Sequence, residues 1–371
     1  MTKITLHNYQ TKLVGEVCEV IAGQSPEGRF YNDSGKGLPF YQGKKEFTDK
    51  YIGKPTTWTT VITNEARAGD ILMSVRAPVG PINFATQKIC IGRGLAAIRA
   101  GKKVDKEYLY NYLEKCENEI VGNSGAVFNS ISKTQIEKIS IPLPSLSEQK
   151  RIVAVLDEAF VALAKAKEIA EKNLQNSREL FESYLHRVDA DKELIGSLVN
   201  ITTGKLDVNA AKENGKYPFF TCARDIYAID KYAFDCEAIL LAGNNAVGDF
   251  NVKHYKGKFN AYQRTYVITV NDENRVLYRY LYFQMLKSLK EFKQKSVGVG
   301  TKFLKLGMIK EMRIALPPIK DQASIVAKLD ALSVDTKKLE AIYQQKLADL
   351  EELKKSILQK AFNGELVGEC S

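Results

Sequence analysis

Thr221 with Arg224, Asn244 with Asn245, and Gln263 with Arg264 each stand at the end of a strand-like run in the second half of the chain. Amide side chains pair bidentately with adenine edges and guanidinium groups with guanine, so these residue types suit reading of base edges in a DNA major groove. The first half offers counterparts. Lys44, Lys45, Lys54 and Thr57 lie in a loop-rich segment beside Trp58, and Ser74 and Arg76 close the run Ala68-Gly-Asp-Ile-Leu-Met-Ser-Val-Arg76. Arg93 sits between Gly92 and Gly94, where a backbone phosphate could be approached closely. A solvated loop over a core tryptophan, asparagines in turns and an exposed arginine account for the same residues without any ligand.

Catalytic patterns are missing. The sole Pro-Pro pair, Pro317-Pro318, is followed by Ile319, so no Asn/Asp-Pro-Pro-aromatic motif exists and adenine methylation by this chain alone is not expected. HExxH and GxSxG are absent, and no Gly-Lys is followed by Ser or Thr, which rules out a Walker A loop. The six cysteines (Cys18, Cys90, Cys116, Cys222, Cys236, Cys370) form no CxxC pair, and the three histidines (His7, His186, His254) are far apart. Neither a zinc site nor a disulfide framework is written at recognisable spacing, and such scattered cysteines suggest a reducing, cytosolic setting. The N-terminus lacks the apolar centre of a signal peptide, and no run approaches membrane-spanning length. A degenerate nuclease site among the acidic residues is the remaining enzymatic reading.

The net charge of +10 is unevenly placed. Residues 1–146 carry 19 Lys/Arg against 14 Asp/Glu and residues 190–319 carry 20 against 13, whereas 147–189 and 320–371 each come to −1. A polyanion would therefore be gripped by the two basic segments and not by the stretches that follow them.

Those stretches are the elements that must position the candidate residues. Ser145 and Glu148 stand at capping-box spacing, and apolar residues recur at Ile152, Leu156, Ala159, Leu163, Ala166 and Ala170, continued by Phe181 and Tyr184. Alternating steps of four and three are the seam of a coiled coil. The same rod is written again: Ile325, Leu329, Leu332, Thr336, Leu339 and Tyr343 repeat the seam, and the helix is expected to run from Asp321 to a brake at Asn363-Gly364. Between 136–157 and 309–330, ten of twenty-two residues are identical, Gln149/Gln322, Leu156/Leu329 and Asp157/Asp330 among them. The duplication extends to whole units, since Leu13, Gly15 and Gly23 match Leu194, Gly196 and Gly204. Two equivalent units imply a pseudo-two-fold repeat with antiparallel rods. Tyr108-Leu-Tyr-Asn-Tyr-Leu113 is expected to start a helix, matched by Val276-Leu-Tyr-Arg-Tyr-Leu281. Its aromatics read as core. The segment Gly122–Lys133, echoed by Val297–Lys305, reads as a close-packed turn that could also contact a DNA backbone.

Taken in order, these motifs resemble the specificity subunit of type I restriction-modification enzymes. The strongest marks are Ile139-Ser-Ile-Pro-Leu-Pro-Ser-Leu-Ser-Glu-Gln149 with Ile152 and Arg313-Ile-Ala-Leu-Pro-Pro-Ile-Lys-Asp-Gln322 with Ile325, with Glu179–Leu185, Leu353–Leu366, Gln42-Gly-Lys44 and Gly257–Arg264 supporting them. The resemblance covers nearly the whole chain. It implies an α+β fold in which two globular, mixed β-rich target-recognition domains (1–143 and 190–317) are separated by an antiparallel two-helix coiled coil built from 144–189 and 318–371. It further implies a non-catalytic, cytoplasmic reader of double-stranded DNA, each domain reading one half of a bipartite asymmetric site and the helices acting as a ruler. Two methyltransferase (M) subunits would bring S-adenosylmethionine, and restriction (R) subunits would bring ATP and Mg, with no cofactor on this chain and no membrane. A stand-alone DNA-binding scaffold with a coiled-coil spacer is the competing reading.

Overall fold

The computed structural model describes residues 9–122, 130–188, 190–363 and 365. Its contacts divide the chain into two units, Met1–Ala170 with Lys346–Ser371, and Glu171–Gln345. Each unit joins one β-rich globule to a length of both long helices.

In the first unit a four-stranded antiparallel sheet runs in the order Cys18–Ala22, Leu95–Ala100, Ile71–Ser74, Ile82–Phe84. Alternate residues of these strands leave on opposite faces. Ile71, Met73, Ala96 and Ile98 enter one core with Tyr108, Leu109 and Leu113 of the helix Lys106–Gly122. Leu72, Leu95 and Ala97 enter a second core with Tyr41, Ile89 and Ile91. Both faces are covered, so the run Ile71-Leu-Met is apolar throughout and does not alternate. The second core is lined by a five-stranded sheet in the order Tyr31–Asn32, Trp58–Thr59, Leu38–Tyr41, Ile89–Ile91, Glu65–Ala66, with Leu38–Tyr41 parallel to Ile89–Ile91.

The second unit repeats this plan in one six-stranded sheet, ordered Val199–Thr203, Thr265–Val270, Phe234–Ala242, Val252–Ala261, Tyr217–Phe220, Tyr227–Ile229. Here a single long strand, Val252–Ala261, does the work that the first unit divides between Ile82–Phe84 and Ile89–Ile91. Register gives the correspondence residue by residue. Ala96 pairs with Ala22 and with Met73, and Tyr266 pairs with Thr203 and with Leu241. The duplicated glycines are explained by close approach. A Cβ on Gly23 would lie 2.1 Å from the Gly92 carbonyl oxygen, and one on Gly204 would lie 1.8 Å from that of Ala261.

Gln149 and Gln322 are the clearest repeated device. Gln149 is fully buried; its Oε1 accepts from Asp105 N (2.8 Å) and its Nε2 donates to Lys103 O (3.0 Å) and Pro144 O (2.9 Å). Gln322, also fully buried, accepts from Leu277 N (3.0 Å) and donates to Arg275 O and Pro317 O (both 2.9 Å). Each amide ties the start of a long helix to the loop that enters the globule's own helix. The same register corrects the sequence alignment of those shorter helices. Tyr108 donates to Pro142 O and Tyr280 to Ala315 O, so Tyr108 corresponds to Tyr280 and not to Val276. The tyrosines recur at intervals that fit two frames one helical turn apart, and only the tertiary hydrogen bond selects between them.

The long helices span Leu146–His186 and Ile319–Asn363. Ser145 Oγ accepts from Glu148 N at 3.3 Å, while the Glu148 carboxylate is engaged by Arg151 at 2.9 Å. In the first unit Ile152 and Leu156 share a core with Leu358, Ala361 and Phe362, whose ring lies edge-on to Tyr108 and Tyr112, and Lys167 pairs with Glu351 at 2.7 Å. In the second, Leu185 packs with Leu329 and Phe283, and Arg178 pairs with Glu340 at 2.6 Å. Partner numbers fall as the first helix advances, which makes the pairing antiparallel. Leu339, one of the expected seam residues, remains 39% exposed, and Glu340 takes its place against Arg178. Gly364 and most of the Gly122–Lys133 turn (123–129) lie outside the described residues.

Candidate nucleic-acid interface

The candidate residues of the first unit converge on the loops at one end of the sheet. Gly92 N donates to Tyr41 O (2.8 Å) and Gly94 N to Gln42 O (3.0 Å), so the Arg93 turn lies against the Gln42–Lys45 loop. Ser25 completes the junction, its hydroxyl accepting from Arg93 N (3.1 Å) and meeting Gln42 Oε1 at 3.0 Å. Val75 N donates to Gly94 O, which brings Arg76 to the same place. Arg76 and Arg93 then line one cleft of about 220 Å³ together with Lys133 and Ser130. Lys44 and Lys45 are exposed on a single helical turn, Lys44–Glu46. Glu46 accepts from Gly53 N (2.7 Å) and from the Thr56 hydroxyl (3.2 Å), and this holds the segment bearing Lys54 and Thr57 beside them.

Ser74 stands apart. It is 3% exposed, and its hydroxyl donates to Arg76 O (3.2 Å) and Pro78 O (3.0 Å), so its work is to shape the turn that presents Arg76. Thr221 behaves alike in the second unit, buried and accepting from Ala223 N.

Register places the two sets of candidates on common positions. Following the paired strands outward, Arg76 corresponds to Asn244, Arg93 to Gln263, Gln42 to Thr221 and Lys45 to Arg224. The bridge from Arg76 to Ser130 is repeated by Asn244 against Phe303. The second cleft, about 360 Å³, is lined by Gln263, Arg264, Tyr266 and Phe303. Arg264 lies 5.3 Å over the Phe303 ring, which orients its guanidinium. Asn245 Oδ1 accepts from Val247 N and Asp249 N, capping its own turn, whereas Asn244 Oδ1 is buried with no hydrogen-bond partner. Arg224 is held at 2.5 Å by Asp249, and Gln263 donates to Asp207 at 3.3 Å.

Sequence reasoning missed Ser25 and Asp249, which stand at no strand end and in no motif; Lys133 and Phe303 lie in the matched segments Gly122–Lys133 and Val297–Lys305 but were not singled out there. Among the described residues no group of three or more His, Cys, Asp or Glu could hold a metal ion, and no helix is long and apolar enough to cross a membrane. What the two clefts offer is hydrogen-bond donors, acceptors and positive charge on loops braced by a doubly covered sheet. That is equipment for recognition of a polar, anionic surface.

Comparison with known proteins gives the family. A family model described as Type I restriction modification DNA specificity domain matches twice, over residues 7–172 and 188–351. Over 175 residues the chain is 39% identical to the type I restriction enzyme EcoDI specificity subunit of Escherichia coli, a match covering 47% of this chain and 38% of that one. Over 160 residues it is 45% identical to the putative type I restriction enzyme MjaX specificity subunit of Methanocaldococcus jannaschii, covering 42% and 37%. The chain thus spans little more than a third of the length of these two relatives. A longer match, 24% identical, covers 97% of this chain and 94% of the MjaIX specificity subunit from the same archaeon. The fold superposes with a TM-score of 0.78 at 18% identity, over 96% of this chain and 98% of the other, on a chain from a structural study of complex assembly and conformational transition of the type I R-M system. With two matches that together take in most of its length, the chain belongs to the family of type I restriction modification DNA specificity domains.

Proposed function

We propose that this chain is the non-catalytic DNA sequence-specificity subunit of a type I restriction-modification enzyme, working in the cytoplasm. Residues 1–143 and 190–317 each read one half of a bipartite site, and the helical stretches 144–189 and 318–371 supply the spacer and dock two methyltransferase subunits. S-adenosylmethionine binds the methyltransferase subunits, and ATP and Mg bind the restriction subunits. The observation that carries this reading is the pair of equivalent clefts with unlike polar side chains. Where the first unit presents Arg76, Arg93 and Lys45, the second presents Asn244, Gln263 and Arg224. A scaffold kept the same while its reading groups differ implies two half-sites of different sequence, unlike the palindrome of a homodimer.

Recognition would proceed in two steps. Exposed lysines and arginines of the basic globules attract the duplex and neutralise phosphates, a term that carries no sequence information and weakens steeply with salt. Arginine and amide groups at the clefts then meet base edges. Asp249 must release Arg224, and Asp207 must release Gln263, before either side chain can pair with a base.

The test is exchange of residues 190–317 for the same region of a relative, followed by modified-base sequencing of DNA methylated by the complex with M subunits. One half of the methylated motif should change and the other stay as it was. Changes in both halves would refute the modular reading. Failure of the chain to co-purify with the M subunits would favour a stand-alone scaffold.

A further inference from the structure

In the first unit Met73 pairs with Ile82 and Leu72 with Asn83; in the second, Leu241 pairs with Val252 and Leu240 with Lys253. Because Met73 and Leu241 are equivalent, Asn83 and Lys253 occupy one strand position in the two units. The residues differ in charge, length and hydrogen-bonding capacity, yet they do the same thing. Asn83 is buried; its Nδ2 donates to Thr48 O and its Oδ1 accepts from Thr48 N, both at 2.8 Å. Thr48 ends the segment that carries Lys44 and Lys45. The half-buried Lys253 donates from Nζ to Ala223 O at 2.6 Å and to Asn251 Oδ1, and Asn251 in turn donates to Cys222 O at 2.8 Å. Cys222 and Ala223 immediately precede Arg224.

A lysine ordinarily turns its ammonium group out to water along an apolar stem. Lys253 instead turns inward, onto the Ala223 carbonyl and the Asn251 amide oxygen, where burial lowers its hold on a proton. Such a group is poorly placed to meet a phosphate and well placed to fix a loop.

Resting on the DNA-reading function proposed above, we propose that Asn83 and Lys253 are positioning residues for the two recognition loops: each acts through backbone atoms to set where Lys44 and Lys45, or Arg224, meet DNA. The two loops are set independently, one by each unit.

The experiment uses Lys253→Met in the full chain, assembled with M subunits, with modified-base sequencing as the readout. Discrimination at the second half-site should fall about tenfold, the equivalent of one or two hydrogen bonds lost from the loop, while the first half-site is read as before. The salt dependence of DNA affinity should be unchanged, because a lysine that touched phosphate would take about 0.9 from the slope of log K against log salt. Asn251→Ala, which frees Cys222 O in the same loop, should give the same pattern, and Asn83→Leu should relax the first half-site alone. An unchanged second half-site in both Lys253→Met and Asn251→Ala would overturn the proposal, as would a slope reduced by about one. Each variant's untouched half-site reports that the subunit is folded and assembled. Were the wild-type complex to read no bipartite site, the fault would lie with the functional reading and not with the positioning.

Discussion

Replacing Gln149 by Met keeps the volume of the side chain and removes all three of its hydrogen bonds, to Asp105 N, Lys103 O and Pro144 O. Pro144 O is deeply placed, and the other two backbone groups are partly covered. A buried polar group left unpaired costs roughly 1–3 kcal/mol, and partly covered ones recover some of that from water. The sum is about 2–5 kcal/mol, a large share of the 5–15 kcal/mol typical of a native protein. The melting temperature should fall by about 10 °C, at a conversion of about 2–4 °C per kcal/mol for a unit of this size. Gln322→Met removes the matching trio in the second unit and should do the same. Thermal and urea unfolding, followed by circular dichroism, provide the measurement. A loss below about 1 kcal/mol in both variants would mean that the buried amides are not what fastens the long helices to the globules.

Three other outcomes are expected. Phe362→Ala empties a site against Tyr108 and Tyr112 and should destabilise the first unit by about 3–5 kcal/mol, measured by the same unfolding curves. Asp249→Asn frees Arg224 and removes a charge that repels phosphate, so DNA binding measured by fluorescence anisotropy should tighten severalfold; weaker binding would show that the pair organises the loop. The hydrogen bond from Lys167 holds the Glu351 carboxyl below the usual carboxylate range. That contribution is present above the unfolded-state pKa and is lost as pH falls through the folded one, so acid should loosen the helix pair, and Lys167→Met should blunt this part of the pH dependence of stability.

The helices were legible because periodicity survives without structure: Ile152, Leu156, Leu329 and Ala170 are buried where the alternating steps put them. Leu339 escaped because a coiled-coil seam drifts around a real helix, and the charged pair Arg178–Glu340 occupies the place. The repeated Gln149 and Gln322 were visible as identities, but their purpose was not, since two of the three partners of each are backbone atoms more than forty residues away. At the candidate interface, residue type pointed to Arg76, Arg93, Asn244 and Gln263, and strand register then paired them across the two units. Ser74 and Thr221 have the right chemistry in the wrong surroundings, with hydroxyls committed to their own turns. Asn83 and Lys253 were beyond reach. Nothing in composition or spacing links an asparagine to a lysine that performs the same task.

The first unit contains both residues near the start of the chain and the last turns of the final helix, with Leu358, Ala361 and Phe362 inside its core. During synthesis the ribosome therefore releases the amino-terminal globule long before the side chains that complete it exist. A stop codon between Gln345 and Leu358 would injure the unit made first and spare the other, so a truncation's position along the chain is a poor guide to the globule it damages.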